Sequence, residues 1–249
     1  MKLALLSDLH ANRQALEACL AHAQAQGVQR YAILGDLVGY GADPAWTVDA
    51  LIALAERGAV VLRGNHDDMA VTPPADTSKA GASTAAWTHS QLSATQRAFL
   101  ASLPLSVHER HMLLVHASAE RPEQWIYVDD ERTADRCLQA ASQSGANHVF
   151  VGHVHRQAMY YPGTGRGVMC FTPTPGVAIP MPGRRPCVVT VGSVGQPRDG
   201  DPRAMYAIYE TDKHRVTFHR VAYDTHAAAQ AIRRAGLPAF LADRLEEGR

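Results

Sequence analysis

Short apolar runs, each ended by a polar or turn-forming residue, recur along the whole chain. They occupy residues 3–6, 31–34, 59–62, 112–115, 149–151 and 187–191. Runs of this length between turn-forming residues are typical of buried β-strands. Apolar and polar positions alternate over 214–221, which predicts one more strand with a single exposed face.

Helical periodicity lies between the first of these runs. A helix is predicted to begin near Asn12, because apolar residues spaced i, i+3, i+4 and i+7 follow it. These residues are Leu16, Cys19, Leu20 and Ala23. A second helix is predicted from Pro44 to about Glu56, since proline is favoured in a first helical turn. The order strand, helix, strand, helix predicts parallel βαβ units near the amino end.

The second half of the chain has a different pattern. Residues 162–186 contain six prolines and five glycines, which excludes a regular helix and favours β-hairpins or a long loop. Two closing helices are predicted within 226–247, separated by Gly236-Leu237-Pro238. No repeat and no convincing linker interrupts the pattern, so we expect a single α/β domain over 1–249.

Side chains of metal-ligand type follow five of the predicted strands, at the point where each strand ends. They are Asp8 and His10, then Asp36, then Asn65 with His66 and Asp67, then His116, and finally His153 with His155. In open α/β sheets, ligand sites form beyond the carboxyl ends of the strands. We therefore expect groups that are more than a hundred residues apart in sequence to converge at one edge of the sheet.

The types of these side chains indicate a transition-metal site. Mixed carboxylate and imidazole without thiolate suits Mn²⁺, Fe, Zn²⁺ or Ni²⁺ better than a structural cysteine zinc site. A carboxylate can bridge two metals about 3.5–4 Å apart, the separation used in two-metal phosphoryl chemistry. Each block alone has an ordinary explanation, such as a plain turn for Gly64-Asn65-His66-Asp67. Five blocks in order, each at a strand end, indicate a metal centre.

Composition and charge limit which binding partners and which cellular compartment we expect for this protein. The 24 Lys and Arg residues balance the 24 Asp and Glu residues, which argues against general attraction to nucleic acid or anionic lipid. The apolar run at the amino end is too short for a signal peptide, and no stretch approaches the roughly 20 apolar residues of a membrane helix. The four cysteines form no C-x-x-C pair, which favours free thiols. We expect a cytoplasmic protein.

The five blocks together resemble the calcineurin-like metallophosphoesterase superfamily. They are Asp8-Leu9-His10, Gly35-Asp36, Gly64-Asn65-His66-Asp67, His116 and Gly152-His153-Val154-His155. The resemblance runs from residue 3 to about residue 200. Residues 192–199, Gly-Ser-Val-Gly-Gln-Pro-Arg-Asp, further resemble a small bacterial phosphodiesterase branch, although Val191 stands where that branch usually has proline.

The resemblance implies a four-layer α/β/β/α sandwich with a dinuclear metal site at the strand ends. The cofactors would be two divalent transition-metal ions, with Mn²⁺ as first choice and Fe, Zn²⁺ or Ni²⁺ as alternatives. The implied first ligand set is Asp8, His10 and His155, and the implied second set is Asn65, His116 and His153, with Asp36 as the bridge. His66 would donate a proton to the leaving oxygen or stabilise the phosphate. Asp67 would either orient His66 or cap the turn.

The implied function is hydrolysis of phosphodiesters by a water molecule that two metals activate. Protein phosphatases and dinucleoside-polyphosphate hydrolases of the superfamily usually carry a phosphate-binding arginine where this chain has Tyr40. Because a fixed guanidinium suits a dianionic terminal phosphate, its loss favours diesters. Arg198 or Arg63 would have to reach the phosphate from another loop for this preference to fail. The activities of those relatives, including phosphomonoester hydrolysis, remain the alternative.

Two functions of other classes also stay open. One is a non-catalytic scaffold on the same fold, although scaffold relatives lose ligands or the catalytic histidine and this chain retains them. The other is a nuclease, which the neutral composition disfavours. We expect a small phosphate-ester substrate and neither a membrane nor a nucleic-acid partner, while association into a homo-oligomer stays open. Tyr40 is predicted at the mouth of the site, Trp125 and Tyr127 in a core or interface, and 162–186 as a rim or a dimer contact.

Overall fold

The computed structural model describes residues 1–78, 80–165 and 167–249, and these residues form two six-stranded β-sheets. In chain order the strands are β1 (Lys2–Leu6), β2 (Arg30–Ile33), β3 (Val60–Val61), β4 (Ser106–Glu109), β5 (Met112–Val115), β6 (His148–Val151), β7 (Gln157–Pro162), β8 (Val168–Phe171), β9 (Ala178–Pro180), β10 (Cys187–Val191), β11 (Ala204–Glu210) and β12 (Arg215–Val221). The first sheet has the order β3-β2-β1-β11-β12-β9 and the second β4-β5-β6-β10-β7-β8. The seven predicted strands are all present.

Helices cover both sheets. They are α1 (Arg13–Ala25), α2 (Pro44–Glu56), α3 (Asn65–Val71), α4 (Ala80–Ser83), α5 (Ala85–Gln91), α6 (Ala94–Ser102), α7 (Glu131–Gln143), α8 (Thr225–Arg234) and α9 (Ala239–Glu247). Asn12 caps α1 by accepting a hydrogen bond from the Ala15 amide at 3.1 Å, and Pro44 opens α2 as predicted. Within the residues that the structure describes, no helix is both long enough and apolar enough to cross a membrane.

The packing of the layers follows from which strand faces are apolar. Leu5 of β1, Phe150 of β6 and Tyr209 of β11 are fully buried in the core between the two sheets. Leu16 of α1 packs on the outer face of the first sheet, and Cys137 of α7 packs on the outer face of the second. The strands in the centre are therefore buried on both faces. This arrangement is the predicted four-layer α/β/β/α sandwich, which is confirmed.

Several elements were not predicted from the sequence. Strand β11 lies between β1 and β12, antiparallel to both, and all seven of its residues are buried. Residues 204–209 form an apolar run of the same kind as the six used above, so the pattern for this strand was present in the sequence. Helix α7 was also missed. The predicted parallel βαβ units are present, because β1, β2 and β3 pair in parallel.

The proline-rich segment 162–186 connects the two sheets. Strand β8 forms an antiparallel hairpin with β7, and β9 pairs with β12 in the other sheet. The absence of helix is confirmed for the described part of the segment, and Arg166 lies outside that part. The segment lines an apolar cavity of about 230 Å³ together with Met159 and Tyr161. In the described residues it contributes no side chain to the polar cluster at the strand ends, so its role as a rim is not supported, and its role as a dimer contact stays a prediction.

Three histidines surround one buried tyrosine at the amino ends of β5 and β6. The Tyr209 hydroxyl lies 3.3 Å from His111 Nε2, 3.3 Å from His148 Nδ1 and 3.4 Å from His214 Nδ1. The His148 side chain is fully buried. Burial lowers its pKa to about 4, and the neighbouring His111 and His214 act in the same direction, against a hydrogen bond to the Pro182 carbonyl.

His148→Gln should make the free energy of unfolding less dependent on pH between about pH 6.5 and 4. In the unfolded chain the histidine pKa is about 6.5, so only the unfolded state takes up a proton in this range. The stability that the neutral His148 contributes is therefore complete above about pH 6.5 and is lost at up to about 1.4 kcal/mol per pH unit as the pH falls.

The measurement is urea denaturation at a series of pH values in the presence of a chelator. His108→Gln is the matched control, because His108 lies exposed on β4, and it should follow the parent protein. Equal pH dependence in all three proteins would contradict the prediction.

Candidate metal centre

The polar side chains that follow the predicted strands lie together in the structure. Ligand atoms within each of three overlapping groups approach one another within 4.8 Å. The groups are Asp8, His10 and His155; His10, Asp36 and His66; and Asp36, His116 and His153. The expected single sheet edge is wrong, because β1, β2 and β3 belong to the first sheet and β5 and β6 to the second. The site forms where the carboxyl ends of strands from both sheets meet.

Two pairs of imidazole nitrogens face each other at short distance. His10 Nε2 lies 3.1 Å from His155 Nε2, and His116 Nε2 lies 3.2 Å from His153 Nδ1. In three of these rings Nδ1 faces a backbone carbonyl, at 3.3 Å for His10, 2.6 Å for His155 and 2.7 Å for His116. Only a protonated nitrogen can donate to a carbonyl, so in the neutral form of these rings the Nε2 atom carries a lone pair directed into the site.

This geometry fits divalent metal ions. Imidazole nitrogens bind Zn²⁺ at about 2.0–2.1 Å, so two neighbouring ligands of one ion lie roughly 3.0–3.4 Å apart. The distances of 3.1 and 3.2 Å fall in this range. Two lone pairs that face each other at such a distance repel unless a proton or a cation lies between them. The donors of both pairs therefore suit a metal ion better than a network of hydrogen bonds.

The two aspartates each have one anchored oxygen and one oxygen directed at the imidazoles. Asp8 Oδ2 accepts a hydrogen bond from the His153 amide at 2.9 Å, and its Oδ1 lies 3.1 Å from His155 Nε2. Asp36 Oδ1 accepts from the His66 amide at 2.8 Å. The second oxygen of Asp36 lies 3.4 Å from His116 Nε2 and 3.9 Å from His10 Nε2. Asp36 thus lies between the two histidine pairs, where a bridging ligand belongs.

Buried ligand atoms without a hydrogen-bond partner support the same interpretation. Among the described residues these atoms include Asp8 Oδ1, Asn65 Oδ1 and His153 Nε2. A buried polar atom left without a partner costs about 1–3 kcal/mol. A cation would relieve this cost at Asp8 and Asn65, whose oxygens are suitable ligands. Asn65 is the first residue of α3 and follows β3 after the turn at residues 62–64.

The backbone of the site is strained at the residues that carry the chemistry. Five non-glycine residues with side chains in the cluster have positive φ, namely Asp8, His10, Asp36, His153 and His155, with values between 49° and 65°. Non-glycine residues rarely adopt this conformation, and each costs on the order of 1 kcal/mol or more. Such strain persists only where the surrounding structure enforces it, which is common at functional sites.

Gly35 allows the chain after β2 and β3, in the first sheet, to approach His116 at the end of β5, in the second sheet. Its φ is +99°, and a Cβ atom there would lie 2.8 Å from both His116 Nδ1 and the Gly64 amide. A larger residue would therefore push His116 away from Asp36 in addition to straining the turn.

The protonation of the cluster suits metal ligands. Burial lowers the pKa of His10 well below its ordinary value and that of His153 to about 3. Burial opposes ionisation of Asp8 and Asp36, but the neighbouring imidazoles outweigh it and lower both pKa values. Burial also acts on His116, yet Asp36 raises its pKa to about 9. Metal binding at this pair would release the proton from His116.

His66 and Asp67 have different surroundings. The His66 ring is buried, with its centroid 4.9 Å from the His10 ring and 4.4 Å from the Tyr40 ring. Asp67 accepts three backbone hydrogen bonds, from Leu37 at 2.9 Å, from Val38 at 3.2 Å and from Gly64 at 2.8 Å. Of the two roles predicted for Asp67, the structure shows the capping role, in which the carboxylate joins the loops after β2 and β3.

Two aromatic residues that were predicted in a core or an interface instead cover the site. Tyr127 is 49% exposed, and its ring stacks on His153 with 3.9 Å between centroids. Trp125 meets His116 edge to face at 5.8 Å. Both lie in the loop that follows β5, so their position shortly after His116 in the chain was the available signal. The predicted position of Tyr40 at the mouth agrees with its ring, 4.7 Å from the His10 ring.

The two arginines considered for phosphate binding lie in different places. The guanidinium carbon of Arg198 is 5.9 Å from the centroid of the Tyr40 ring. Arg63 instead pairs with Asp68 at 3.1 Å and donates to the Ala101 carbonyl. Of the two, Arg198 is therefore the arginine that the fold brings close to Tyr40.

Comparison with known proteins identifies what this chain is similar to. The model of the calcineurin-like phosphoesterase superfamily domain matches residues 1–214. The crystal structure of a metallophosphoesterase from Sphaerobacter thermophilus is 34% identical and superposes with a TM-score of 0.86 over 100% of both chains. An uncharacterized protein of Methanocaldococcus jannaschii is 30% identical over 253 residues, which cover 99% of this chain and 98% of that protein. A hypothetical protein from Pyrococcus horikoshii, 19% identical with a TM-score of 0.76 over 100% of this chain and 98% of its own, shares the fold.

Proposed function

Because this chain belongs to the calcineurin-like phosphoesterase superfamily, we propose that it hydrolyses phosphodiesters with two divalent metal ions bound at the strand ends. The observation that carries this proposal is the pair of facing imidazole nitrogens on each side of Asp36. One cation at each pair would explain why its two nitrogens face each other at short distance. Two neighbouring cations would explain why the Asp36 carboxylate lies between the pairs.

The proposed ligand sets follow the two pairs. The first metal is held by Asp8, His10 and His155, and the second by Asn65, His116 and His153, with Asp36 shared. Such ions polarise a phosphoryl group, offset its charge and supply a nucleophilic water near neutral pH. Mn²⁺ is the proposed native metal, since carboxylate and amide oxygens suit it, and Fe, Zn²⁺ and Ni²⁺, which imidazole suits, are the alternatives.

The chain's own residues supply the remaining parts of the site. Carbonyl contacts at His10, His116 and His155 orient these rings, so that little reorganisation accompanies binding. The buried ring of His66 stands beside His10 and Tyr40, where it can reach the ester's leaving oxygen or a phosphoryl oxygen. The intact ligand set argues against a non-catalytic scaffold.

The preference for diesters rests on the mouth of the site. Tyr40 replaces the arginine that would clamp a dianion, and Tyr127 offers an exposed aromatic surface to a second organic substituent. One observation favours phosphomonoesters as a second candidate: the positive charge of Arg198 near Tyr40 also suits a dianion. A phosphodiesterase would hydrolyse the monoanionic diester faster, and a phosphomonoesterase would hydrolyse the dianionic monoester faster.

With Mn²⁺ bound, we expect kcat/KM for bis-p-nitrophenyl phosphate to exceed that for p-nitrophenyl phosphate by about tenfold or more, a difference of about 1.4 kcal/mol in transition-state stabilisation. The measurement is steady-state hydrolysis of both esters by one preparation, with the chelated protein as the control for metal dependence. Preference for the monoester would leave the phosphomonoesterase candidate. Failure to hydrolyse either ester with two metals bound would support the scaffold.

A further inference from the structure

Arg198 carries a positive charge that no carboxylate neutralises among the residues that the structure describes. Its sequence neighbour Asp199 pairs with Arg220 instead, at 3.0 Å between Nη1 and Oδ1. The guanidinium of Arg198 donates to the side-chain carbonyl of Gln196 through Nε at 3.2 Å and Nη2 at 2.8 Å. Gln196 is neutral, so it positions the guanidinium and leaves the charge available for an anion.

The loop that carries Arg198 is tied to a proposed metal ligand. The Arg198 amide donates to the His155 carbonyl at 3.3 Å, and the Gln196 carbonyl faces His155 Nδ1 at 2.6 Å. Gln196 is buried, and its amide donates to Ser193 Oγ at 2.8 Å. Gln196 therefore both orients the His155 ring and holds the Arg198 guanidinium. This limits how far the guanidinium can move from the His155 ring.

The guanidinium faces the mouth of the site. Its carbon lies 5.9 Å from the centroid of the Tyr40 ring. The Tyr40 ring also lies 4.4 Å from the His66 ring, so Tyr40 neighbours both Arg198 and the ring proposed to contact the ester.

We propose that Arg198 binds a non-bridging oxygen of the substrate's phosphoryl group from the loop after β10, a contact that a diester monoanion and a monoester dianion both offer. This inference rests on the proposed phosphoesterase function. An arginine has five N–H donors, of which Gln196 occupies two, so three remain for the anion. Gln196 acts as a positioning residue, because it holds the guanidinium without competing for its charge.

Arg198→Met should weaken phosphate binding without removing metal. A hydrogen bond to a charged group contributes about 1.5–3 kcal/mol, which corresponds to a rise of about 10- to 100-fold in a dissociation constant. We expect this rise in the dissociation constant of inorganic phosphate, measured by calorimetry on the Mn²⁺-loaded protein, and a similar rise in KM for bis-p-nitrophenyl phosphate. Metal content should equal that of the parent protein.

Two further variants sharpen the test. Arg198→Lys retains the charge without the planar fork, so it should recover part of the loss. Arg63→Met removes an arginine that pairs with Asp68, and it should change phosphate binding less than about twofold, within the effect of an ordinary surface substitution.

The outcomes separate this inference from the proposed function. A parent protein that binds phosphate through Arg198 but hydrolyses no ester refutes the proposed activity and supports the anion site. Unchanged phosphate binding in Arg198→Met, no phosphate binding in the parent protein, or loss of metal in the variant would each overturn the proposal for Arg198. Because the calorimetric measurement needs no turnover, it decides the point in every case.

Discussion

Asp36→Asn should remove both metal ions at once and lower kcat by about a thousandfold or more, which corresponds to about 4 kcal/mol. The substitution retains Oδ1, which accepts the hydrogen bond from the His66 amide, so the loop can keep its conformation. It replaces the oxygen near His10 and His116 with an NH₂ group, which cannot ligate a cation. Because this oxygen lies between both histidine pairs, neither pair retains its shared anionic ligand.

The measurement is elemental analysis after reconstitution with Mn²⁺. The parent protein should hold two ions per chain, and Asp36→Asn should hold markedly fewer at both positions. Asp68→Asn is the matched control, since Asp68 lies on α3 and pairs with Arg63 outside the cluster, and it should retain two ions. A parent protein that saturates at one ion, or an Asp36→Asn variant that retains two, would rule out the dinuclear arrangement.

His66→Ala should lower kcat by about 10²–10⁴ while metal content stays close to that of the parent protein, because general acid catalysis contributes about this much. Burial lowers the pKa of His66, so in the absence of substrate the ring is neutral near pH 7. The neutral ring can donate a hydrogen bond to a phosphoryl oxygen as it stands, whereas it must first take up a proton before it can protonate the leaving oxygen.

Leaving-group dependence distinguishes these two roles. Nitrophenolate departs with little protonation, so a proton donor is needed much more for an alkyl ester. A smaller loss for nitrophenyl than for alkyl substrates identifies the proton donor, and an equal loss identifies the phosphate contact. His226→Ala, at an exposed histidine of α8, is the control. Loss of metal in His66→Ala would instead make His66 a ligand, which its place in the group with His10 and Asp36 allows.

The side chains at the strand ends of this site could be predicted from the sequence, whereas the distribution of these strands over two sheets could not. Asp8, Asn65 and His153 each follow a short apolar run, and both the run and the turn after it are local features of the sequence. Local features are sufficient to predict a strand end, and the side chain at that end is then known. The pairing of β5 and β6 in a second sheet depends on packing over long distances in the chain.

Residues outside the strand ends had no periodic pattern from which their contacts could be predicted. Arg198 and Tyr127 stand in irregular loops, where sequence periodicity indicates neither direction nor contact. Asp67 has a residue type that suits both of its predicted roles, and only the approach of the loop after β2 selects capping.

The amino-acid sequence by itself determined the strand ends and the chemical types of the ligands, because backbone conformation and side-chain chemistry are set within a few neighbouring residues. The tertiary structure alone decided the distances: 3.1 Å between His10 and His155, 3.2 Å between His116 and His153, and the position of Asp36 between them. These distances arise from two sheets that bury a common core, since packing of the interior sets where strand ends from different sheets meet.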